Sequence, residues 1–120
     1  MTKSIAVLVI MAILIVAIST ASSVFVNDVA KRFEPQLNKA MKNPEEALIR
    51  EIYNDWDKEK KTLLYIMNHR DIEEVSESLV RSYRESASKR FDVALEELSV
   101  AKFKLKELVE REKFSLENIL

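Results

Sequence analysis

The side chains of this chain that could carry out chemistry are a single histidine, His69, and several pairs of glutamates. A di-iron or di-manganese site in a helical bundle needs a Glu-x-x-His pair on each of two helices. The residue three positions before His69 is Ile66, so even one such pair is missing. General acid–base catalysis needs a carboxylate that is held in a cleft away from water. We interpret the glutamate pairs as solvated helix faces: Glu73 with Glu74, Glu96 with Glu97, and Glu107 with Glu110.

Two residue types are absent from the sequence, and their absence excludes several classes of site. The 120 residues contain no Gly and no Cys. Without glycine, phosphate-binding loops, dinucleotide fingerprints and nucleophile elbows cannot be built in their usual form. Without cysteine there are no disulfides, thiolate metal ligands or thiol nucleophiles, and a single histidine excludes multi-histidine metal sites. We therefore predict no catalytic residues, no cofactor and no metal, and expect that the protein is not an enzyme.

The charge of the chain is balanced and gives no indication of a nucleic-acid partner. There are 19 Lys and Arg against 20 Asp and Glu, with a formal net charge of −1, and the two signs are interleaved. A nucleic-acid-binding domain usually carries a basic patch that neutralises phosphates. The apolar fraction of 48% and the charged fraction of 32% are typical of a globular chain, which at this length forms one modest domain.

The longest uncharged stretch of the sequence covers residues 5–26 and reads IAVLVIMAILIVAISTASSVFV. As a helix that rises about 1.5 Å per residue, this stretch is roughly 30 Å long, which matches the hydrocarbon core of a bilayer. Each large aliphatic side chain favours insertion into that core. We therefore predict that residues 1–26 form an N-terminal membrane anchor that contacts the lipid bilayer through residues 5–26.

The same segment shares features with a cleavable signal peptide. A short basic region precedes the apolar run, and Ser19, Thr20 and Ala21 are the small residues that a signal peptidase prefers. The apolar run resumes at residues 24–26, and the whole stretch is longer than a typical signal-peptide core. We predict an uncleaved anchor, and the alternative is a protein that is secreted after cleavage near Ala21.

Charge alone does not orient the anchor. Lys3 lies before it, whereas Lys31 and Arg32 are among several basic residues that follow it. A positive-inside count would therefore place the C-terminal side in the cytoplasm. A short basic region ahead of an apolar run is, on the other hand, typical of an exported chain.

The periodicity of the remaining chain predicts an all-α fold. Apolar residues recur at helical spacing over residues 27–43, which predicts an amphipathic stalk continuous with the membrane helix and kinked or broken near Pro35. Residues 44–120 predict an antiparallel three-helix bundle, because the connections between its helices are short. The predicted helices cover about 44–67, 71–87 and 89–113, and an apolar C-terminal tail docks on them.

Polar residues at the predicted helix starts provide the caps. Asn43 is the expected N-cap of the first bundle helix, with Pro44 at its first position. Asp71 and Ser88 are the expected caps of the next two helices.

Four features of the chain occur together in one known family. They are the N-terminal membrane helix, Trp56 followed by the lysine-rich residues 58–61, His69 at the first helix corner, and the ending Ser115 to Leu120. With these features nearly the whole chain resembles the domain of unknown function 4363 family of Gram-positive bacteria. The resemblance implies a single-pass membrane protein with its N-terminus in the cytoplasm and its helical bundle outside. It carries over no catalytic residue, because the family has none established.

The most suggestive surface lies on the third helix of the predicted bundle. Val93, Val100 and Phe103 lie opposite the core seam, to which the spacing assigns Phe91, Leu95 and Leu98. This strip either packs under the stalk or tail or forms an exposed docking surface.

Two further residues complete the candidate partner surface. Trp56 is either an anchor for a partner or a core residue, because Trp is common in both settings. His69 either contacts a partner or caps the last carbonyl groups of the first bundle helix.

These features together predict a non-catalytic interaction or scaffold protein that is accessory to another membrane or envelope protein. The anchor would confine the bundle near the membrane and raise its effective concentration for such a partner. The alternative is an extracytoplasmic sensory or small-ligand-binding bundle, which requires a pocket lined by Trp56 and Tyr83 in place of a filled core. No feature of the sequence specifies an oligomeric state.

Overall fold

The computed structural model of the chain describes residues 2–119 and contains four α-helices within them. Helix α1 spans Thr2–Lys42, α2 spans Glu46–Ile66, α3 spans His69–Ala87 and α4 spans Phe91–Ile119. None of the residues from 2 to 119 is in a β-strand. The predicted all-α class, with a long apolar N-terminal helix, is confirmed.

Helix α1 is a single helix of 41 residues whose two halves lie in different surroundings. All side chains from Thr2 to Ile18 are exposed. The second half buries Val26, Val29, Phe33, Leu37 and Ala40, which recur at spacings of three and four residues. The segment that was predicted to be a stalk is therefore the first helix of a four-helix bundle, because α2 and α4 cover its apolar stripe.

Pro35 lies inside α1 without ending it. A proline has no N–H to donate to the carbonyl four residues earlier, which here belongs to Lys31. The Pro35 ring is exposed, so it does not disturb the packing of the bundle. The side-chain amide of the next residue, Gln36, donates to the Arg32 carbonyl at 3.3 Å. The predicted break is therefore wrong, whereas a kink at this position stays a prediction.

The helices form a ring in which each one packs on two neighbours: α1 on α2 and α4, and α3 on α2 and α4. Helices α3 and α4 pack most closely, and the backbones of the diagonal pairs do not approach each other closely within residues 2–119. Helices α2 and α3 run in opposite directions, because Arg50 pairs with Tyr83 and Lys60 with Glu73. Helices α1 and α4 also run in opposite directions, because Asn38 pairs with Lys102 while Asn27 lines a groove with Val109.

The core is centred on Trp56 of α2, which is 1% exposed. Its ring meets Phe33 of α1 edge to face at 5.6 Å between centroids, and its Nε1 donates to the Ser76 hydroxyl of α3 at 2.8 Å. The buried side chains of α3 and α4 are often small, as with Ser82 and Ala101. Small side chains shorten the distance between helix axes, which accounts for the close α3–α4 packing.

The first two loops use caps that differ from the predicted ones. Glu45 occupies the N-cap position of α2 with an extended backbone, while Asn43 lies outside the helix and donates from its amide to the Glu45 carboxylate at 2.7 Å. Helix α3 starts earlier than predicted because Asn68 caps it, accepting a hydrogen bond from the Arg70 N–H at 2.8 Å. Asp71 instead lies in the first turn of α3, where the helix dipole stabilises a negatively charged carboxylate.

The third loop closes α3 with a residue in the left-handed region. Lys89 has φ of 63°, its N–H bonds the Ser86 carbonyl at 2.9 Å, and the Arg90 N–H bonds the Glu85 carbonyl at 2.8 Å. This is the Schellman arrangement, which usually has glycine at the left-handed position. Because the chain has no glycine, Lys89 adopts this conformation at a cost of about 1 kcal/mol. Ser88, the predicted cap of α4, therefore belongs to the end of α3.

Helix α4 continues past residue 113, where the last bundle helix was predicted to end, and reaches Ile119. Phe114, the first residue of the predicted docked tail, is 65% exposed. Most of that tail, namely the side chains of residues 115, 116 and 119 and the whole of residue 120, lies outside the described part of the molecule.

Candidate functional site

Helix α4 has a filled inner face and an apolar outer face. The inner side chains are all buried: Ala94, Leu98, Ala101, Leu105 and Leu108. Phe91, Leu95 and Phe103 are exposed, and their spacings of four and eight residues place them along one ridge of the helix. We call these three residues the outer row. The three large apolar side chains of the outer row are exposed to solvent, although the inner face of the same helix already supplies its contacts to the core.

The strip that was predicted on this helix is exposed in part. Phe103 is 59% exposed, Val100 is also exposed, and Val93 is half-buried. Helix α1 packs instead beside Leu105 and Val109. The strip was predicted either to pack under another segment or to form an exposed docking surface. The exposure of Phe103 and Val100 fits the second of these interpretations.

Sequence reasoning placed Phe91 and Leu95 in the core seam, and that placement is wrong. Phe91 is 47% exposed and Leu95 is 38% exposed, so both lie at the edge of the seam. At 100° per residue, Leu95 lies about 100° from the centre of the buried face, whereas Phe91 lies about 20° from the buried Leu98, so the spacing signals the exposure of Leu95 and not that of Phe91. Their exposure extends the candidate surface toward the start of α4.

Two carboxylates lie beside the outer row. Asp92 and Glu96 are exposed, and neither takes part in an ion pair or side-chain hydrogen bond among the described residues. By contrast, the carboxylates of Glu74 and Glu107 on the α3–α4 surface lie 3.2 and 3.9 Å from the Lys104 ammonium group. The first half of the outer row therefore has a negative edge formed by Asp92 and Glu96, whereas the exposed Lys106 lies three residues after Phe103.

Trp56 and His69 do not join this surface. Trp56 lies in the core, which fits the alternative interpretation of that residue. His69 is the first residue of α3 and is exposed at the end of the bundle opposite Phe91. Its ring makes no hydrogen bond to a carbonyl of α2 among the described residues, so the predicted capping is not observed.

A shallow groove between α2 and α3 is lined by Arg50, Tyr53, Val80, Tyr83 and Arg84. The Arg50 guanidinium lies 5.4 Å from the centre of the Tyr83 ring and donates to its hydroxyl at 2.8 Å, and that hydroxyl donates to Glu46 at 2.9 Å. The hydrogen bond to Tyr83 is the main cause that raises the pKa of Arg50. These groups satisfy one another. Since Trp56 is buried elsewhere, a pocket lined by Trp56 and Tyr83 is absent from the described structure.

The other acidic residues singled out in the sequence serve mainly as partners for basic groups. Glu73 pairs with Lys60 at 2.8 Å across α2 and α3, and Asp71 pairs with Arg111 across α3 and α4. The hydrogen bond from Arg111 to Asp71 raises the pKa of the arginine. Between residues 2 and 119, no group of three or more acidic or histidine side chains is placed to hold a metal ion.

Most of the exposed large apolar side chains among the described residues belong to the first half of α1. It is long and apolar enough to cross a membrane, and none of its most apolar window is buried against the bundle. By length and composition it is compatible with a membrane anchor or with a signal sequence.

Comparison with known proteins assigns most of the chain to a family but assigns no activity to it. The family model described as Domain of unknown function (DUF4363) matches residues 17–119, which includes the end of the apolar stretch and all the helices of the bundle. No curated protein and no solved structure matches the chain.

Proposed function

The chain belongs to the family Domain of unknown function (DUF4363), and we propose that it is a membrane-anchored, non-catalytic protein that binds another membrane protein through the outer row of α4. The observation that carries this proposal is the exposure of Phe91, Leu95 and Phe103 on a helix whose inner face is already filled. Exposed apolar patches on a soluble surface can mark binding sites, and Phe103 with the adjacent exposed Val100 forms the more exposed end of this row.

Residues 5–26 of α1 are the proposed anchor. Their large apolar side chains are exposed on every side from Ile5 to Ile18, which is unfavourable in water and favourable in lipid. The segment around Ala21, the predicted cleavage site, is helical and continuous with the bundle, whereas proteolysis favours flexible loops. This continuity supports an anchor that is not cleaved.

The bundle is proposed to lie outside the cytoplasm, with the N-terminus inside. Lys3 precedes the apolar run, as the basic region of an exported chain does. The partner is then a membrane or envelope protein with a domain on the same outer side.

The chemistry of the outer row indicates what the partner presents. Phe91, Leu95 and Phe103 require apolar side chains, and the negative edge formed by Asp92 and Glu96 favours Lys or Arg beside them. Membrane anchoring of both proteins raises their effective concentration, so that a small contact suffices. We therefore propose an apolar segment flanked by basic residues as the partner surface.

Site-specific photo-crosslinking in intact cells tests the proposal. A photoreactive amino acid at Ser99, which is exposed between Leu95 and Phe103, should crosslink to one defined membrane protein. The same amino acid at Glu77, exposed on α3, is the matched control and should not. Phe103→Ser should weaken the crosslink by about tenfold or more, because aromatic anchors contribute roughly 2 kcal/mol to interfaces.

The melting temperature of Phe103→Ser separates binding from folding. Because Phe103 is 59% exposed, we expect little change in that temperature. A crosslink that survives the substitution, or that forms equally from both positions, would exclude the outer row as the binding surface. A large fall in melting temperature would show that Phe103 has a structural role.

The alternative function, an extracytoplasmic sensory or ligand-binding bundle, has less support. It requires space between the helices, and Trp56 fills that space by packing on Phe33 and bonding Ser76. Retention of a small molecule after purification, with loss of that molecule in a Tyr83→Ala variant, would favour it.

A further inference from the structure

The register between α1 and α4 determines which residues lie level with the end of the apolar stretch. A groove near that end is lined by residues of both helices: Ser23, Val24, Asn27, Val109, Glu110 and Lys113. Because the two helices run in opposite directions, residues after Lys113 lie beside α1 residues before Ser23. At about 1.5 Å per residue, residues 114–119 extend roughly 9 Å along the uncharged stretch.

Helix α2 ends near the same level. Its Glu59 pairs with Arg32 of α1 at 3.0 Å, and its Trp56 packs on Phe33. Tyr65 lies six residues after Glu59, which places it near the level of Val26 because α2 runs opposite to α1. The ends of α2 and α4 therefore meet the apolar half of α1 at one end of the bundle.

The two most exposed aromatic side chains among the described residues lie at this end. Tyr65 is 91% exposed and Phe114 is 65% exposed, although they belong to different helices. Neither side chain belongs to the core cluster. Aromatic rings are enriched where the hydrocarbon of a bilayer meets its headgroups, because a Tyr ring is apolar at one end and polar at the other.

The charged residues around Tyr65 and Phe114 are also suited to the layer of lipid headgroups. Lys61, Arg70 and Lys113 are exposed near Tyr65 and Phe114, and long basic side chains can direct their charge toward lipid phosphates. Glu112 and Glu117 lie at the same end, so the surface is mixed in charge. Such a mixture suits the headgroup layer of an ordinary bilayer without demanding an anionic lipid.

From these positions we infer that the bundle is seated directly in the headgroup layer, with Tyr65 and Phe114 in contact with lipid, an inference that rests on the proposed membrane anchor. The bilayer surface is thus a second binding partner of the folded domain, in addition to the lipid around residues 5–18, the fully exposed part of the proposed anchor. Phe103, eleven residues before Phe114 on α4, is then held about 16 Å farther from the membrane. The seat therefore fixes the height at which the outer row meets its partner.

Fluorescence quenching by brominated lipids tests the seat in the full-length protein. The chain has one Trp, buried at position 56, which serves as an internal reference. Tyr65→Trp and Phe114→Trp each add one indole at the proposed seat, and Phe103→Trp is the matched control on the exposed part of α4. Vesicles of phosphatidylcholine and phosphatidylglycerol carry bromine near the headgroup end of the acyl chains. The added emission at 65 and 114 should fall roughly twofold, as for an indole at the interface, while that at 103 should not change.

Flotation of the same vesicles distinguishes the contact of Tyr65 and Phe114 with the headgroup layer, called the seat, from the insertion of the anchor. Protein that floats with the vesicles but shows no quenching at positions 65 and 114 would overturn the seat and leave the anchor intact. Protein that does not float would overturn both. Equal quenching at 65, 103 and 114 would show that the bundle lies on its side, which also contradicts the proposed seat.

Discussion

The two halves of α1 are both helical and rich in apolar residues, yet the arrangement of those residues differs. From Ile5 to Ile18 every side chain is apolar and exposed, whereas from Val26 to Ala40 the apolar side chains form one buried stripe. A helix that is apolar all round needs apolar surroundings on every side, and a helix with one stripe needs neighbours only along that stripe. The arrangement of apolar residues, more than their number, separates the proposed anchor from the bundle.

The boundary between the halves lies inside the uncharged stretch. Ser19, Ser22 and Ser23 are half-buried, and they continue the stripe of Val26 and Val29 at the same spacing. The intervening Thr20 and Ala21 are exposed. Small side chains allow another helix to approach closely. The bundle seam therefore extends about two turns into the segment that charge alone would assign wholly to the membrane.

The largest expected effect comes from removing a buried ring in the bundle half. Phe33→Ala deletes the ring that packs on Trp56 and should destabilise the bundle by about 3–5 kcal/mol. Ile10→Ala, a large-to-small change in the anchor half, should leave the bundle unchanged, because Ile10 is exposed. Thermal unfolding of the two variants in detergent micelles, followed by circular dichroism, makes the comparison. Similar losses from both would mean that the two halves do not differ in the way described.

Much of the fold follows from the sequence because helical periodicity records which side of a helix needs a neighbour. The apolar stripe of Val29, Phe33 and Leu37 could be recognised in the sequence, but the stripe alone does not indicate which helix packs on it. For this reason the first bundle helix was predicted to be a stalk. The predicted cap at Asn43 failed although Asn is the preferred residue at an N-cap: α2 begins at Glu46, and Glu45 takes the N-cap position without a side-chain hydrogen bond to the helix.

The candidate surface on α4 was predicted in part. The rotation of 100° per residue placed Phe103 and Val100 opposite the core, and both are exposed. Phe91 and Leu95 lie between the two faces, where exposure depends on how far the neighbouring helices reach. How far the neighbouring helices cover these residues depends on the assembled bundle, and the sequence of one helix does not determine it. The seat residues Tyr65 and Phe114 were missed because their shared level depends on the register of three helices.

A change of intermediate size should locate the boundary within α1. Ser22→Leu places a large side chain where α1 is half-buried, and overpacking of this kind costs about 1–3 kcal/mol. Ala21→Leu adds a leucine at the adjacent exposed position and should not destabilise the bundle. Both changes keep the segment uncharged, so insertion into lipid should persist in each. Thermal unfolding in micelles gives the difference, and equal stability of the two variants would place the boundary nearer Val26.

The smallest effect should appear at Glu112, which lies on α4 near the same boundary and is half-buried. Burial raises the pKa of this carboxyl. The folded state therefore holds the proton more tightly than the unfolded state does, and stability falls as the pH rises from the ordinary Glu range through the raised pKa. Above that pKa the loss is complete and constant.

Glu112→Gln should remove this pH dependence and stabilise the bundle at neutral pH by a few tenths of a kcal/mol, since the group is only partly buried. Glu117→Gln, at an exposed position on the same helix, is the control and should retain the pH dependence of the original protein. Melting temperatures between about pH 4 and 7 cover the titration range of glutamate. If Glu112→Gln retained the full decrease in stability with rising pH, Glu112 would not be its source, and the boundary region would be more hydrated than its burial indicates.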